Sequence, residues 1–119
     1  MAARTRLSVI DRSFLFAETR ETPMHVGGLQ IFRIPTGAPP HFVSSLFAEL
    51  RKFPVSASPL NYRLTGGVAG AVMPSWEVAD NVDLGYHLRH SALPRPGGER
   101  ELGVLVSRLH SNPMDLSRP

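Results

Sequence analysis

The sequence predicts an α/β fold, and three observations carry that reading. Two segments, His41–Phe53 and Glu99–His110, place apolar residues at the three-four spacing of helices. Two others, Met24–Ile34 and Val82–Leu93, have the short-period apolar pattern of strands. Pro- and Gly-rich connections separate them, and 42% hydrophobic residues with a mean hydropathy of −0.08 are ordinary for a globular chain of 119 residues. The expectation is one domain, residues 1–119, with a mixed sheet packed against helices.

Taken in order, Ser8–Ala17 is expected to be a short helix. Leu7, Ile10, Phe14 and Ala17 share a face, Ser8 is placed to cap, and Asp11 lies in the first turn where the helix dipole favours an anion. Thr22-Pro23 ends it. Met24–Ile34 follows as a strand with Leu29 and Ile31 on one face and Phe32 and Ile34 on the other, which suits an interior strand covered on both sides. Gly27-Gly28 within it suggests a bulge or a close approach of backbone or ligand. After the TGAPP loop, His41–Phe53 carries Phe42, Val43, Leu46, Phe47, Leu50 and Phe53 as one stripe. Ser44, Ser45, Glu49, Arg51 and Lys52 face away from it. Pro40 suits its first turn and Pro54 stops it.

Asn61–Thr65 and Ser75–Asp80 read as short strands joined by a glycine-rich connection. Gly66, Gly67 and Gly70 lack both the Gly-Lys-Ser/Thr ending of a phosphate loop and the dinucleotide-binding spacing, so a hairpin connection is expected. Val82–Leu93 alternates, with Leu84, Tyr86, Leu88 and Ala92 opposite Gly85, His87, Arg89 and Ser91, as in a half-buried strand. ALPRPGG turns the chain into the Glu99–His110 helix, which has Glu99 and Glu101 near its start and Arg108 and His110 near its end, as the dipole prefers. Asn112-Pro113 terminates it.

Composition narrows the function classes. The net charge is +3 with a pI near 10.2, and every basic residue except Lys52 is an arginine. The arginines are scattered from Arg4 to Arg118 and form no stripe with aromatics, so no nucleic-acid partner is expected. Solvated surface arginines are the ordinary reading of that charge, and weak attraction to an anionic lipid surface or to phosphate-bearing ligands is the alternative. No apolar run approaches the length of a membrane span, no cleavable leader is evident, and there is no cysteine for a disulfide or thiolate site. The cytoplasm is the expected compartment.

No catalytic constellation completes itself. His87 and His90, three apart on a strand, would point to opposite faces, so no metal site is expected there. The chain has no G-x-S-x-G elbow, and the sequence proximity of His110, Asp115 and Ser117 does not make a triad. His25, on a glycine-containing strand, is the one histidine in a suggestive setting, with packing or hydrogen bonding as its ordinary explanation. The residues therefore assign no catalytic group, no metal ligand and no cofactor-binding residue.

Three blocks, in order and spacing, carry a resemblance: LSVIDRSFLF, TPMHVGGLQIF and VDLGYHLRHSALPRPGGERELGVLVSRLHSNPMDLSRP. Through them the chain resembles, nearly end to end, the N-terminal part of bacterial wax ester synthase/diacylglycerol acyltransferases. The resemblance implies part of a fold similar to chloramphenicol acetyltransferase and peptide-synthetase condensation domains, in which two α/β halves bracket a tunnel. It implies transfer of an acyl group from acyl-CoA, the co-substrate, to a fatty alcohol or diacylglycerol, giving wax ester or triacylglycerol. No other cofactor is implied, and contact with a membrane or lipid-droplet surface is consistent with such substrates. In the family, the second histidine of an HHxxxDG motif is the general base on the acceptor hydroxyl. That motif is not in this sequence, and His87-x-x-His90 is no substitute for it. Pro119 aligns with the start of the Pro-Leu-Trp element that precedes the motif, so the expectation is a truncated half-domain, inactive alone, whose missing C-terminal part completes it. The alternative is a non-catalytic interaction protein, paired with a full-length relative or bound to a lipid surface.

Overall fold

The computed structural model describes residues 4–66 and 73–119. Its sheet has three antiparallel strands in the order β1-β3-β2, formed by β1 (Arg4–Arg6), β2 (Tyr62–Thr65) and β3 (Ser75–Val78). The central strand alternates its contacts between faces. Trp76 lies between Thr5 and Leu64 on one face, while Glu77 lies between Arg4 and Arg63. The Glu77 carboxylate reaches Arg63 at 3.3 Å and Arg4 at 3.9 Å, so one acid tethers both outer strands.

Helix α1 (Val9–Ala17) follows β1 through Leu7, the single buried apolar residue among those described. Its start is closed by a reciprocal capping box. The Asp11 amide donates to Ser8 Oγ and the Ser8 amide donates to Asp11 Oδ2, each at 3.0 Å. The same Oδ2 accepts the Trp76 indole N–H at 3.3 Å, and this fastens α1 to the Trp76 face of the sheet. Ser8→Ala should weaken α1 by about 1 kcal/mol. Hydrogen exchange should then show its amides exchanging about fivefold faster, and an unchanged rate would mean that the cap contributes nothing.

Helix α2 (Phe42–Leu50) and helix α4 (Glu99–His110) form where the apolar stripes place them. In α4 the Gly98 amide donates to Glu101 Oε2 at 2.8 Å, and Gly97, at φ 76°, takes the left-handed turn that the PRPGG segment requires. The C-terminal segment returns to the sheet: the Leu64 amide donates to the Leu116 carbonyl at 2.8 Å. The Gly67 and Gly70 part of the glycine-rich connection lies outside the described residues.

Two expected strands are not strands. Val82–Leu93 contains instead a single helical turn, α3 (Leu84–His87), flanked by irregular chain. Asp83 explains it, because its side chain accepts from the amides of Gly85 (2.9 Å) and Tyr86 (3.2 Å), giving the backbone a local alternative to a ladder. Met24–Ile34 has neither helix nor ladder, and residues 25–34 make no backbone hydrogen bond with the described residues. The Met24 amide donates to Glu18 Oε2 at 3.1 Å, and the apolar residues beyond it are left open.

The molecule is correspondingly extended. Its radius of gyration is 17.8 Å, against about 13.5 Å for a compact chain of this length. Its accessible surface is 10137 Å², against roughly 6,400 Å² for a compact protein of 13.1 kDa. Helices and sheet are present, but the layers that would bury them are not supplied by these residues.

Candidate functional site

The histidines sort into two surroundings. His25, at the start of the open segment, meets His110 at the end of α4 edge to face, with ring centroids 4.8 Å apart. His25 Nδ1 is withdrawn from solvent and has no hydrogen-bond partner among the described residues. Gly27 lies beside the same contact, but a methyl group there would meet His110 Nδ1 at an ordinary 3.4 Å and one at Gly28 would meet nothing within 4 Å, so neither a bulge nor a close approach within the described residues requires the two glycines. The two rings edge a shallow groove of about 570 Å³ whose apolar wall comes from Leu29, Val106, Leu109 and Met114.

Beside its apolar wall the groove is lined by the polar side chains of His25, His110 and Asn112. A general base acting on a hydroxyl needs that hydroxyl within hydrogen-bond reach and donors aimed at the developing oxyanion. His110 was singled out in the sequence with Asp115 and Ser117, but the structure separates their roles. Ser117 Oγ donates directly to Asp115 Oδ1 at 2.6 Å, the Ser117 amide donates to the same oxygen at 3.1 Å, and Arg118 holds Oδ2 at 3.2 Å. The Ser117 hydroxyl, its amide and Arg118 hold the Asp115 carboxyl below its ordinary pKa. The three residues form a local turn around a carboxylate, with His110 committed to His25.

His87 and His90 go elsewhere. His87 packs edge-on against Tyr86, and His90 lies 5.2 Å from the Phe47 ring of α2, so the two rings have different aromatic neighbours. Because α3 stands where a strand was expected, the opposite-face argument for His87 and His90 does not apply to them. Among the described residues no group of three or more His, Cys, Asp or Glu side chains could hold a metal ion, and no helix is long and apolar enough to cross a membrane. The His25–His110 contact was missed in the sequence because the partners are 85 positions apart and no periodicity links them.

Beyond these contacts, the sheet, the position of α4 and the path of the open segment define a shape that can be compared with known proteins. It is that of part of a CoA-acyltransferase-like α/β fold. The structure superposes on a wax ester synthase/diacylglycerol acyltransferase from Marinobacter aquaeolei VT8 with a TM-score of 0.88 and 43% identity, over 97% of this chain and 27% of that one. The family model for the wax ester synthase/diacylglycerol acyltransferase catalytic domain matches residues 7–119, and the chain belongs to this family.

Curated relatives agree. A Mycobacterium tuberculosis H37Rv protein named as a diacylglycerol O-acyltransferase, Rv3480c, is 47% identical over 115 residues, which is 96% of this chain and 23% of the relative. A similarly named Mycobacterium bovis protein, Mb2306, is 40% identical over 113 residues, covering 95% of this chain and 24% of the relative. The chain thus spans about a quarter of the length of the relatives it matches.

Proposed function

We infer that this chain serves as the N-terminal part of an acyl-CoA-dependent O-acyltransferase that esterifies diacylglycerol or a fatty alcohol, and that it is inactive without the remainder of that fold. The observation that supports this most directly is the match of residues 7–119 to the family's catalytic domain, together with a superposition that spans nearly the whole chain but a quarter of the solved relative. In the complete reaction an acceptor hydroxyl loses its proton to a base and attacks the thioester carbonyl. The C–O bond forms, the C–S bond breaks and CoA leaves as the thiol. The chain holds no adjacent histidine pair of the HHxxxDG kind, so the base would come from the remainder of the fold. Acyl-CoA and the lipid acceptor are partners of the assembled enzyme. A membrane or lipid-droplet surface is where such an acceptor would be met.

The test is a chimera in which residues 1–119 replace the matching quarter of the Marinobacter enzyme. With a long-chain acyl-CoA and either a fatty alcohol or diacylglycerol, the chimera should release CoA and form ester, whereas the isolated chain should give no ester above the uncatalysed rate. Transfer by the isolated chain, or a folded but inert chimera, would refute the reading.

A further inference from the structure

Resting on that reading, we propose that Tyr86 and Arg118 are positioning residues for acyl transfer. They latch residues 115–118 to α3 and so fix the course on which the chain runs on past Pro119 into the remainder of the fold. Three separate fastenings meet on this short segment. Its backbone is tied to the sheet, because the Leu64 amide of β2 donates to the Leu116 carbonyl at 2.8 Å. Its turn is closed from within: the Arg118 amide donates to the Asp115 carbonyl at 3.1 Å, and Arg118 Nε donates to Asp115 Oδ2 at 3.2 Å. The third fastening is aromatic. The Arg118 guanidinium carbon lies 4.2 Å from the centroid of the Tyr86 ring, well inside the roughly 6 Å reach of a cation–π contact. The Asp115–Arg118 ion pair is half exposed and would hold little by itself, so the ring supplies the second grip on the same guanidinium.

Helix α3 is what presents that ring. Asp83 caps the turn through the Gly85 and Tyr86 amides, and Arg89 Nε donates to the Tyr86 carbonyl at 3.2 Å. The Arg89 guanidinium also lies 5.5 Å from the Tyr86 ring, so two arginines converge on one half-buried tyrosine. A single helical turn with no buried residue adds little packing, and its consequence lies in what it holds. Pro119 follows Arg118 directly, and its fixed φ carries the direction set at Arg118 into the next residue. A shift of about 1 Å far from the reacting atoms can cost about a hundredfold in rate. A latch of this kind therefore acts on kcat rather than on substrate binding.

The test uses the chimera of residues 1–119 with the Marinobacter remainder. Tyr86→Leu and Arg118→Met should each lower kcat at least about tenfold, with KM for acyl-CoA and for the acceptor within about twofold of the parent. Tyr86→Phe, which keeps the ring, should hold kcat within about twofold of the parent. Tyr86→Leu combined with Arg118→Met should cost no more than either alone, because both remove one contact. An unchanged kcat, a loss confined to KM, losses that multiply, or a Tyr86→Phe variant as slow as Tyr86→Leu would each overturn the proposal while leaving the acyltransferase reading intact. An inert parent chimera removes that reading, and the latch is then judged by hydrogen exchange. The Leu64 amide should exchange at least about fivefold faster in Tyr86→Leu than in the parent, with α4 unchanged. Equal rates at Leu64, or faster exchange throughout α4 as well, would overturn the latch.

Discussion

In urea, the isolated 119-residue chain should lose its structure gradually, and at neutral pH in the absence of denaturant it should bind a hydrophobic dye such as ANS strongly. The reason is the scarcity of burial. Leu7 at 5% exposure is the only buried apolar residue among those described, and Asn61 at 7% is its only polar counterpart. Fully unfolded, a chain of this mass would expose roughly 19,000 Å², so the folded form hides about half of that, where a domain of this size should hide nearly two thirds. Conformational entropy opposes folding by about 1–2 kcal/mol per residue, and cooperative stability needs burial throughout the chain to offset it. The measured slope should fall well under the roughly 1–3 kcal/mol/M of small two-state proteins. A single sharp transition within that range, together with no dye binding, would show that the chain is an autonomous domain.

The second expected result concerns acid. Asp11 is held below its ordinary pKa of 3.8, first by the Ser8 backbone N–H, then by the Ser8 hydroxyl and the Trp76 indole N–H. Its folded-state pKa lies below the unfolded one, so the stabilisation is fully present above the unfolded value and is lost as pH falls through the folded value. From neutral pH to about pH 4.5 the α1–β3 clasp should be insensitive to pH; below 3.8 it should weaken progressively, and its stabilisation is lost as the pH falls through the lower folded-state value. Trp76 is the only tryptophan, which makes intrinsic fluorescence a direct report on the clasp. The emission maximum should move to the red in acid as the indole loses its carboxylate partner, whereas Asp11→Asn, which cannot titrate, should lack that component. Identical acid profiles for the two proteins would show that Asp11 does not govern the clasp.

Much of the local structure was legible because its causes are local. The stripe Phe42–Val43–Leu46–Phe47–Leu50 and the dipole-matched ends of Glu99–His110 specify helices from within, and Ser8 with Asp11 specifies the start of α1. Strands β2 and β3 were also expected from their sequences. Strand β1 was not, since Arg4-Thr5-Arg6 has no apolar period and pairs because Trp76 and Glu77 are opposite it. Met24–Ile34 and Val82–Leu93 were misread for different reasons. The second has a competing local solution in the Asp83 cap, and the first has no partner to pair with among these residues. The family was carried by three sequence blocks and is shown by the match over residues 7–119. The His25–His110 contact, joining the open segment to α4, had no signal in spacing or composition.

The sheet's strand order has a consequence for how the chain is made. Arg4 is paired with Glu77, about 70 positions later, so the first strand to be synthesised must wait for the last. At about 5–20 residues per second of translation, that delay is roughly 4–15 s, while α1 and its cap can form in about a microsecond. During that interval the nascent chain displays α1, the open segment and α2 without the strand that joins Arg4 to Arg63. A chaperone that screens newly made chains would meet α1 in that interval before the Trp76 indole can fasten it to the sheet.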